Sequence, residues 1–336
     1  MTRRDRTRRE IIALLGAAAA LGPRGATAQS RERPRVVAFI LTANPLAIMI
    51  GPNPAFAPAR AFIHGLRDLG WLEGHNVVIE RRSLKDQLER APATMAELVA
   101  RGVDVFVLGA AVSVIQAAQA ATTTIPIVAL FSQNDPVAAG FVASLARPGG
   151  NLTGVSQVIG HELLAKRFQL LKEVAPQTTR VAFLGTKQAW DLYRADAPPA
   201  GISVTFAQVD QAHQFAEAFA AILRDRPDAL IVSGGPVIYA GLPRIVAFAA
   251  DRRLPAMYIF REAVEFGGLM SYGPSVPGLF RQMARQVDSI LRGARPAELP
   301  VEQPTKFDLV INLKTARAFG LDVPATMLVG ADEVIE

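Results

Sequence analysis

The sequence predicts an α/β fold of two lobes, each a parallel sheet flanked by helices. Three observations predict it. Short β-branched runs alternate with longer stretches of helical periodicity, the rhythm of βαβ units. That rhythm starts again after about residue 157, giving two halves of similar size. No long low-complexity linker separates them, which favours lobes joined by several crossing strands with a cleft between. No sequence repeat relates the halves, so their likeness is architectural.

RVVAFIL (35–41) reads as the first buried strand. A Pro-rich loop follows, then AFAPARAFIHGLRDLGW, in which Phe62, Leu66 and Leu69 fall at helical spacing. NVVIE (76–80) is the next strand, and DQLERAPATMAELVARG is a helix ending at Gly102, a C-cap position. VDVFVLG (103–109), IPIVALF (125–131) and NLTGVS (151–156) continue the strands, with helices between them. In the second half HELLAKRFQLLKEVAP is a helix, RVAFLG and ISVTFAQV are strands, and QFAEAFAAILRDRP is a helix. DALIVSGG and PAMYIF are strands on either side of the helix LPRIVAFAADRR.

The first thirty residues read as an address. The apolar stretch Ile11 to Gly22 is about a dozen residues, whereas a spanning helix needs roughly 20. Arginines 3, 4, 6, 8 and 9 precede it, and Ala26 and Ala28 follow at the small-residue positions of a cleavage site, so residues 1–28 are expected to be a secretory signal peptide. Thr7-Arg8-Arg9-Glu10-Ile11-Ile12 resembles the twin-arginine export pattern, with Ile where that pattern prefers Phe. The general secretory route stays open beside it. The expected location is the periplasm.

Charge follows from this. The whole chain carries +6, but residues 1–28 hold six arginines against Asp5 and Glu10, leaving +2 on the remainder. No later stretch clusters Lys and Arg with aromatics, which argues against nucleic-acid binding. Cysteine is absent, so an exported chain must rely on its core rather than on disulfides, and it has no cysteine to lipidate. A free, monomeric protein is expected.

Motifs for covalent chemistry are missing. The chain has no G-x-G-x-x-G after a strand, no G-x-x-x-x-G-K-[ST] and no G-x-S-x-G. The four histidines, at 64, 75, 161 and 213, lie far apart, and His161-Glu162 does not continue into H-E-x-x-H. The expectation is therefore no enzyme, no metal and no cofactor. A turn or N-cap role suits Asp135, and a solvated helix end suits Asp251.

The strand ends offer small, polar, glycine-rich sequence instead, where ligands of open α/β sheets bind. They are TANP (42–45), GAAVS (109–113), SQNDP (132–136) and GVSQ (154–157), then GTKQ (185–188), SGGP (233–236) and FREAVEFGG (260–268). Several run into helix N-termini, whose free N–H groups attract a carboxylate. Asp135 and Glu262 are the acids placed where they could meet an ammonium, so a zwitterion such as an amino acid suits the cleft. The candidate ligand residues are Asn44, Ala111, Ser113, Ser132, Asn134, Asp135, Ser156, Gln188, Gly234, Gly235, Tyr239, Arg261 and Glu262.

The C-terminal part carries a resemblance. EFGGLMSYGPS (265–275), ILRGARPAELPVEQPTKFDLVINLKTARAFGLDVP (290–324) and ADEVIE resemble the substrate-binding proteins of ABC transporters, as do TTTIPIVALFSQNDPVAAGFVASLARPGGNLTGVS (122–156) and the leader. The resemblance implies a type I periplasmic binding fold, with Rossmann-like lobes joined by three hinge crossovers. It implies a partner permease and ATPase in the inner membrane. Lobe one would comprise 33–155 with 269–304, and lobe two 156–268 with 305–336. Ligand contacts would fall on Asn44, Ser113, Asn134, Asp135 and the strand ends of lobe two. Relatives carry an Asn-Pro-rich loop after the first lobe-two strand. Here LGTKQAWDLYRADAPPAG is shorter, with Pro198-Pro199 breaking the helix, so Gln188 and Trp190 would replace its contacts. TANPLAIMIGPNP is unusually apolar, either a greasy wall for the ligand or a packed loop. An exported α/β enzyme and a ligand-sensing module for a membrane receptor stay open as alternatives.

Overall fold

The computed structural model describes residues 33–85, 87–132, 135–157, 162–194 and 200–336. The expected leader, Asn134 and the Pro198-Pro199 break lie outside the described residues. Residues 34–336 form one unit containing two sheets.

The first sheet holds β1 (Arg35–Leu41), β2 (Val77–Ser83), β3 (Val105–Gly109), β4 (Ile127–Phe131) and β5 (Leu152–Ser156). Its order is β2-β1-β3-β4-β5, every pair parallel. β3, β4 and β5 are buried at every residue, as strands covered on both faces must be. Helices α1 (Ala57–Asp68), α2 (Ala91–Ala100) and α3 (Val112–Ala121) connect them. In α1, Ala59, Phe62, Ile63 and Leu66 recur at three- and four-residue steps and are buried, which fixes the face it turns to the sheet.

The second sheet holds β6 (Arg180–Gly185), β7 (Ser203–Gln208), β8 (Ala229–Val232), β9 (Ala256–Tyr258), β10 (Met270–Gly273), β11 (Asp308–Asn312) and β12 (Glu333–Ile335). They run in the order β12-β11-β10-β9-β8-β6-β7. Helices α4 (Glu162–Val174), α5 (Lys187–Tyr193), α6 (Phe215–Asp225), α7 (Pro236–Ala240), α8 (Leu242–Asp251) and α9 (Arg261–Glu265) precede α10 (Val276–Leu291). The short α11 (Leu313–Phe319) and α12 (Ala325–Val329) follow β11.

Three segments join the sheets: after Ser156, between Gly273 and α10, and from α10 to β11. α10 starts with the Ser275 hydroxyl accepting from Gly278 N at 3.2 Å and buries Leu279, Phe280, Met283, Ala284, Val287 and Ile290. It lies close against α1; a Cβ on Gly65 would sit 2.9 Å from the Ala284 Cβ.

Two features differ from the sequence reading. The return to the first lobe, expected at 269, comes after Gly273, because β10 pairs with β9 and β11 in the second sheet. Only four residues separate α9 from β10, and Gly268 N is bonded back to Ala263 O, so the chain has no length to leave the lobe there. The second sheet is also not wholly parallel: β11 runs antiparallel to β10, since the chain enters it on the way back from the first sheet.

Candidate functional site

The strand orders decide where a ligand can sit. In each sheet the order reverses once, beside β1 and β3 in the first and beside β6 and β8 in the second. At such a switch point the loops leave in opposite directions and open a crevice at the carboxyl ends of the strands. The two crevices face each other. Gly234, at the end of β8, would place a Cβ 3.7 Å from the Ser132 carbonyl at the end of β4.

Between them lies a small cavity of about 40 Å³, walled from both sheets. Leu41, Gly109, Leu130, Val276 and Phe280 line one side, and Gly235, Pro236, Tyr239 and Phe260 the other. One ring contact crosses the gap, Phe56 meeting Tyr239 edge-on at 5.7 Å between centroids, and Tyr239 meets Phe260 on its own side at 4.8 Å. The neutral polar groups on this wall are Asn44, Ser132 and Gln157. Gln157 is 4 % exposed and its Nε2 has no partner, so it presents a buried donor.

Pro236 also borders a second, larger compartment of about 360 Å³. Thr42, Ala111, Val112, Ser113 and Gln116 line its first-lobe side, and Thr186, Lys187, Gln188 and Asp210 its second-lobe side. Ala111 is the N-cap of α3 and has no side chain to accept from the first N–H groups. Thr186 caps α5, accepting from Ala189 N at 3.1 Å. The Lys187 ammonium is paired with Asp191. Asp210 accepts from Lys187 N at 2.9 Å through one oxygen and from the Gln208 amide through the other.

Of the residues singled out from the sequence, Asn44, Ser132, Gly235 and Tyr239 border the inner cavity, and Ala111, Ser113 and Gln188 the outer compartment. Asn134 lies outside the described residues. The remaining five do other things. Asp135 is exposed and caps a turn, its Oδ1 accepting from Val137 N at 2.8 Å and Ala138 N at 3.2 Å. Ser156 is buried within β5 and hands its N–H to Glu302 O at 2.8 Å. Gly234 is buried beside Ile259, Ser132 and Phe260. Arg261 turns away, paired with Glu265 at 3.1 Å and Glu333 at 2.8 Å.

Glu262 stands behind Tyr239 rather than on the wall. Burial pushes its carboxyl above the usual range, and a hydrogen bond from Tyr239 opposes that rise. Burial and the neighbouring Glu262 charge together raise the Tyr239 hydroxyl far above the ordinary phenol.

Sequence reasoning missed Phe56, Gln157, Phe260, Val276 and Phe280. Gln157 closes the quoted GVSQ and was one step away. Phe280 arrives on α10 after the second crossover, and no local pattern marks that helix as facing the cleft. Trp190 takes no part, because it stacks on Phe206 at 5.0 Å in the second-lobe core. In the apolar loop after β1, Met49 is fully buried and Phe56 reaches the cavity, while Leu46 and Ile50 are exposed.

Comparisons with known proteins agree with this architecture. The family model described as ABC transporter substrate binding protein matches residues 50–335. A tyrosine-binding protein of Clostridioides difficile (strain R20291) is 23 % identical over 268 residues, 78 % of this chain and 76 % of its own length. An ABC domain from Streptococcus pneumonia, solved in complex with L-Trp, superposes with a TM-score of 0.78 at 24 % identity over 90 % of this chain and all of its own. A conserved domain protein of Vibrio cholerae superposes equally well, TM-score 0.78, at 25 % identity over 90 % of this chain and all of its own. Among the described residues no helix is long and apolar enough to cross a membrane.

Proposed function

The chain belongs to the ABC transporter substrate-binding protein family, and on that premise we propose that it is an exported, periplasmic receptor. It captures a small molecule between its lobes and delivers it to an inner-membrane permease and ATPase, with no covalent chemistry of its own. The observation that carries this reading is the cavity walled from both sheets, with Phe56 on one side and Tyr239 and Phe260 on the other.

Closure is the functional motion. A ligand touching both walls favours the closed arrangement by the difference in its contacts between closed and open states, and the three joining segments supply the hinge. Four aromatic rings on the wall suit a ligand with a flat or apolar body. The bound tryptophan of the streptococcal structure and the name of the clostridial relative support a compound of aromatic-amino-acid size. Asn44, Ser132, Gln157, Gly235 and Tyr239 are the proposed inner contacts, and Ala111, Ser113 and Gln188 the outer ones.

The test is thermal unfolding of residues 29–336, refolded free of ligand, against amino acids, short-chain acids, sugars and aromatic carboxylates. A compound that binds only the folded state at 100 times its dissociation constant stabilises by about 2.7 kcal/mol. A hit recovered chemically unchanged supports the receptor. Consumption of the compound, or no shift from any of them, overturns it. Export is tested separately, by whether the secreted chain begins at Gln29.

A further inference from the structure

We propose that the preferred ligand is an aromatic or similarly apolar carboxylate without an α-ammonium group, its carboxylate held at the start of α3 beside Thr42. This rests on the receptor reading above and narrows it, departing from the zwitterion suggested by the sequence.

The anion end has two independent supports. α3 is ten residues long, and Val112 and Ser113 are its first residues, whose N–H groups have no intrahelical acceptor. Ala111 before them offers no side-chain cap. These residues border the outer compartment, with the positive end of the helix dipole directed at it. On the same wall is Thr42, 2 % exposed, whose hydroxyl has no partner. A buried hydroxyl left unbonded is costly, and an incoming oxygen would satisfy it. The inner cavity adds Gln157 Nε2, a second buried donor awaiting an acceptor.

An ammonium finds no equivalent. Among the described residues bordering either compartment, Asp210 is the one carboxylate, and both its oxygens are engaged, by Lys187 N and by the Gln208 amide. The two acids that the sequence offers for an amine border neither compartment: Asp135 uses its Oδ1 to cap its turn, and Glu262, whose Oε2 is buried without a partner, lies beside Tyr239 off both linings. Burying an ammonium among neutral groups and a helix N-terminus is unfavourable, because desolvation is not offset and the dipole opposes the charge.

The experiment compares pairs that differ only in the amine, by calorimetric titration of the refolded chain. The pairs are 3-phenylpropionate with phenylalanine, 3-(4-hydroxyphenyl)propionate with tyrosine, and indole-3-propionate with tryptophan. The acid is expected to bind at least about tenfold more tightly than its amino acid, roughly the effect of one unsatisfied buried polar group. Thr42→Val keeps the shape and removes the hydroxyl. It is expected to weaken the acid about tenfold while leaving binding of propylbenzene, which brings no oxygen, unchanged. An amino acid that binds as tightly as its acid, or an acid indifferent to T42V, overturns the proposal while the receptor reading stands. The same holds if neither series binds but another compound does. Silence from every compound overturns both.

Discussion

Arg167 donates its Nε to the Tyr272 carbonyl at 2.9 Å, tying the helix after the first joining segment to the strand before the second. The side chain is 2 % exposed and its Nη2 has no partner. Burial lowers the Arg167 pKa, and the Tyr193 hydroxyl beside it opposes that shift. The Tyr272 ring in turn faces Phe307, 6.1 Å away, just before β11 and the end of the third joining segment. One buried cation therefore ties together the second-lobe ends of the joining segments.

Arg167 is thus expected to matter for stability in a way that separates charge from volume. Arg167→Ala loses the bond and leaves a void, for a loss of about 2–4 kcal/mol. Arg167→Met keeps the stem and removes the buried charge, so it is expected to lose less, under about 2 kcal/mol. Urea unfolding of both variants decides the matter. An Arg167→Ala midpoint within error of the parent would show that the contact does not hold the hinge ends.

Gly109 sets the width of the inner cavity at the first sheet's switch point. A Cβ there would lie 2.5 Å from Leu41 Cδ2 and 2.7 Å from Phe280 Cζ, both ends of side chains on the wall. Either end must shift to make room, and both belong to the cavity wall. Gly109→Ala is therefore expected to lose about 1–2 kcal/mol of stability and more than tenfold in ligand affinity. Titration with whichever compound stabilises the parent checks this. Unchanged affinity would mean that ligand binds away from this wall.

Legibility in the sequence followed locality. The inner strands of both sheets declared themselves through uninterrupted apolar runs such as VFVLG and ALIV, which are stable under helices on both sides. The C-terminal ends of those strands named the crevice, and Asn44, Ser132, Gly235 and Tyr239 came with it. Sheet membership after residue 265 was not legible, because β10 is four residues long and its partners come from β9 and from β11, one of them after a 16-residue helix. The same separation hid Phe280, whose place on the wall depends on where α10 docks. A charge near a strand end can equally serve a neighbour: Glu333 took Arg261, and Asp135 caps the turn that its sequence also suited.

Asp228 gives a pH-dependent test far from the cleft. Burial works to raise its carboxyl, but hydrogen bonds outweigh it, from Thr179 N and Oγ1 and from Arg180 N, each at 2.9 Å. The result is a carboxyl held at about 2, below the ordinary value of 3.8. A depressed carboxyl stabilises the fold above its unfolded pKa and ceases to do so as pH falls through the folded value. The contribution is therefore complete above about pH 5 and is lost between about pH 4 and pH 2. Its side chain is 31 % exposed, so solvent screening limits the effect to about 1 kcal/mol. Asp228→Asn is expected to be less stable than the parent at pH 7, with a difference that shrinks over that interval and vanishes near pH 2. Melting temperatures of the two chains from pH 7 to pH 2 read it directly. Parallel curves would mean that the Thr179 and Arg180 bonds do not favour the charged form.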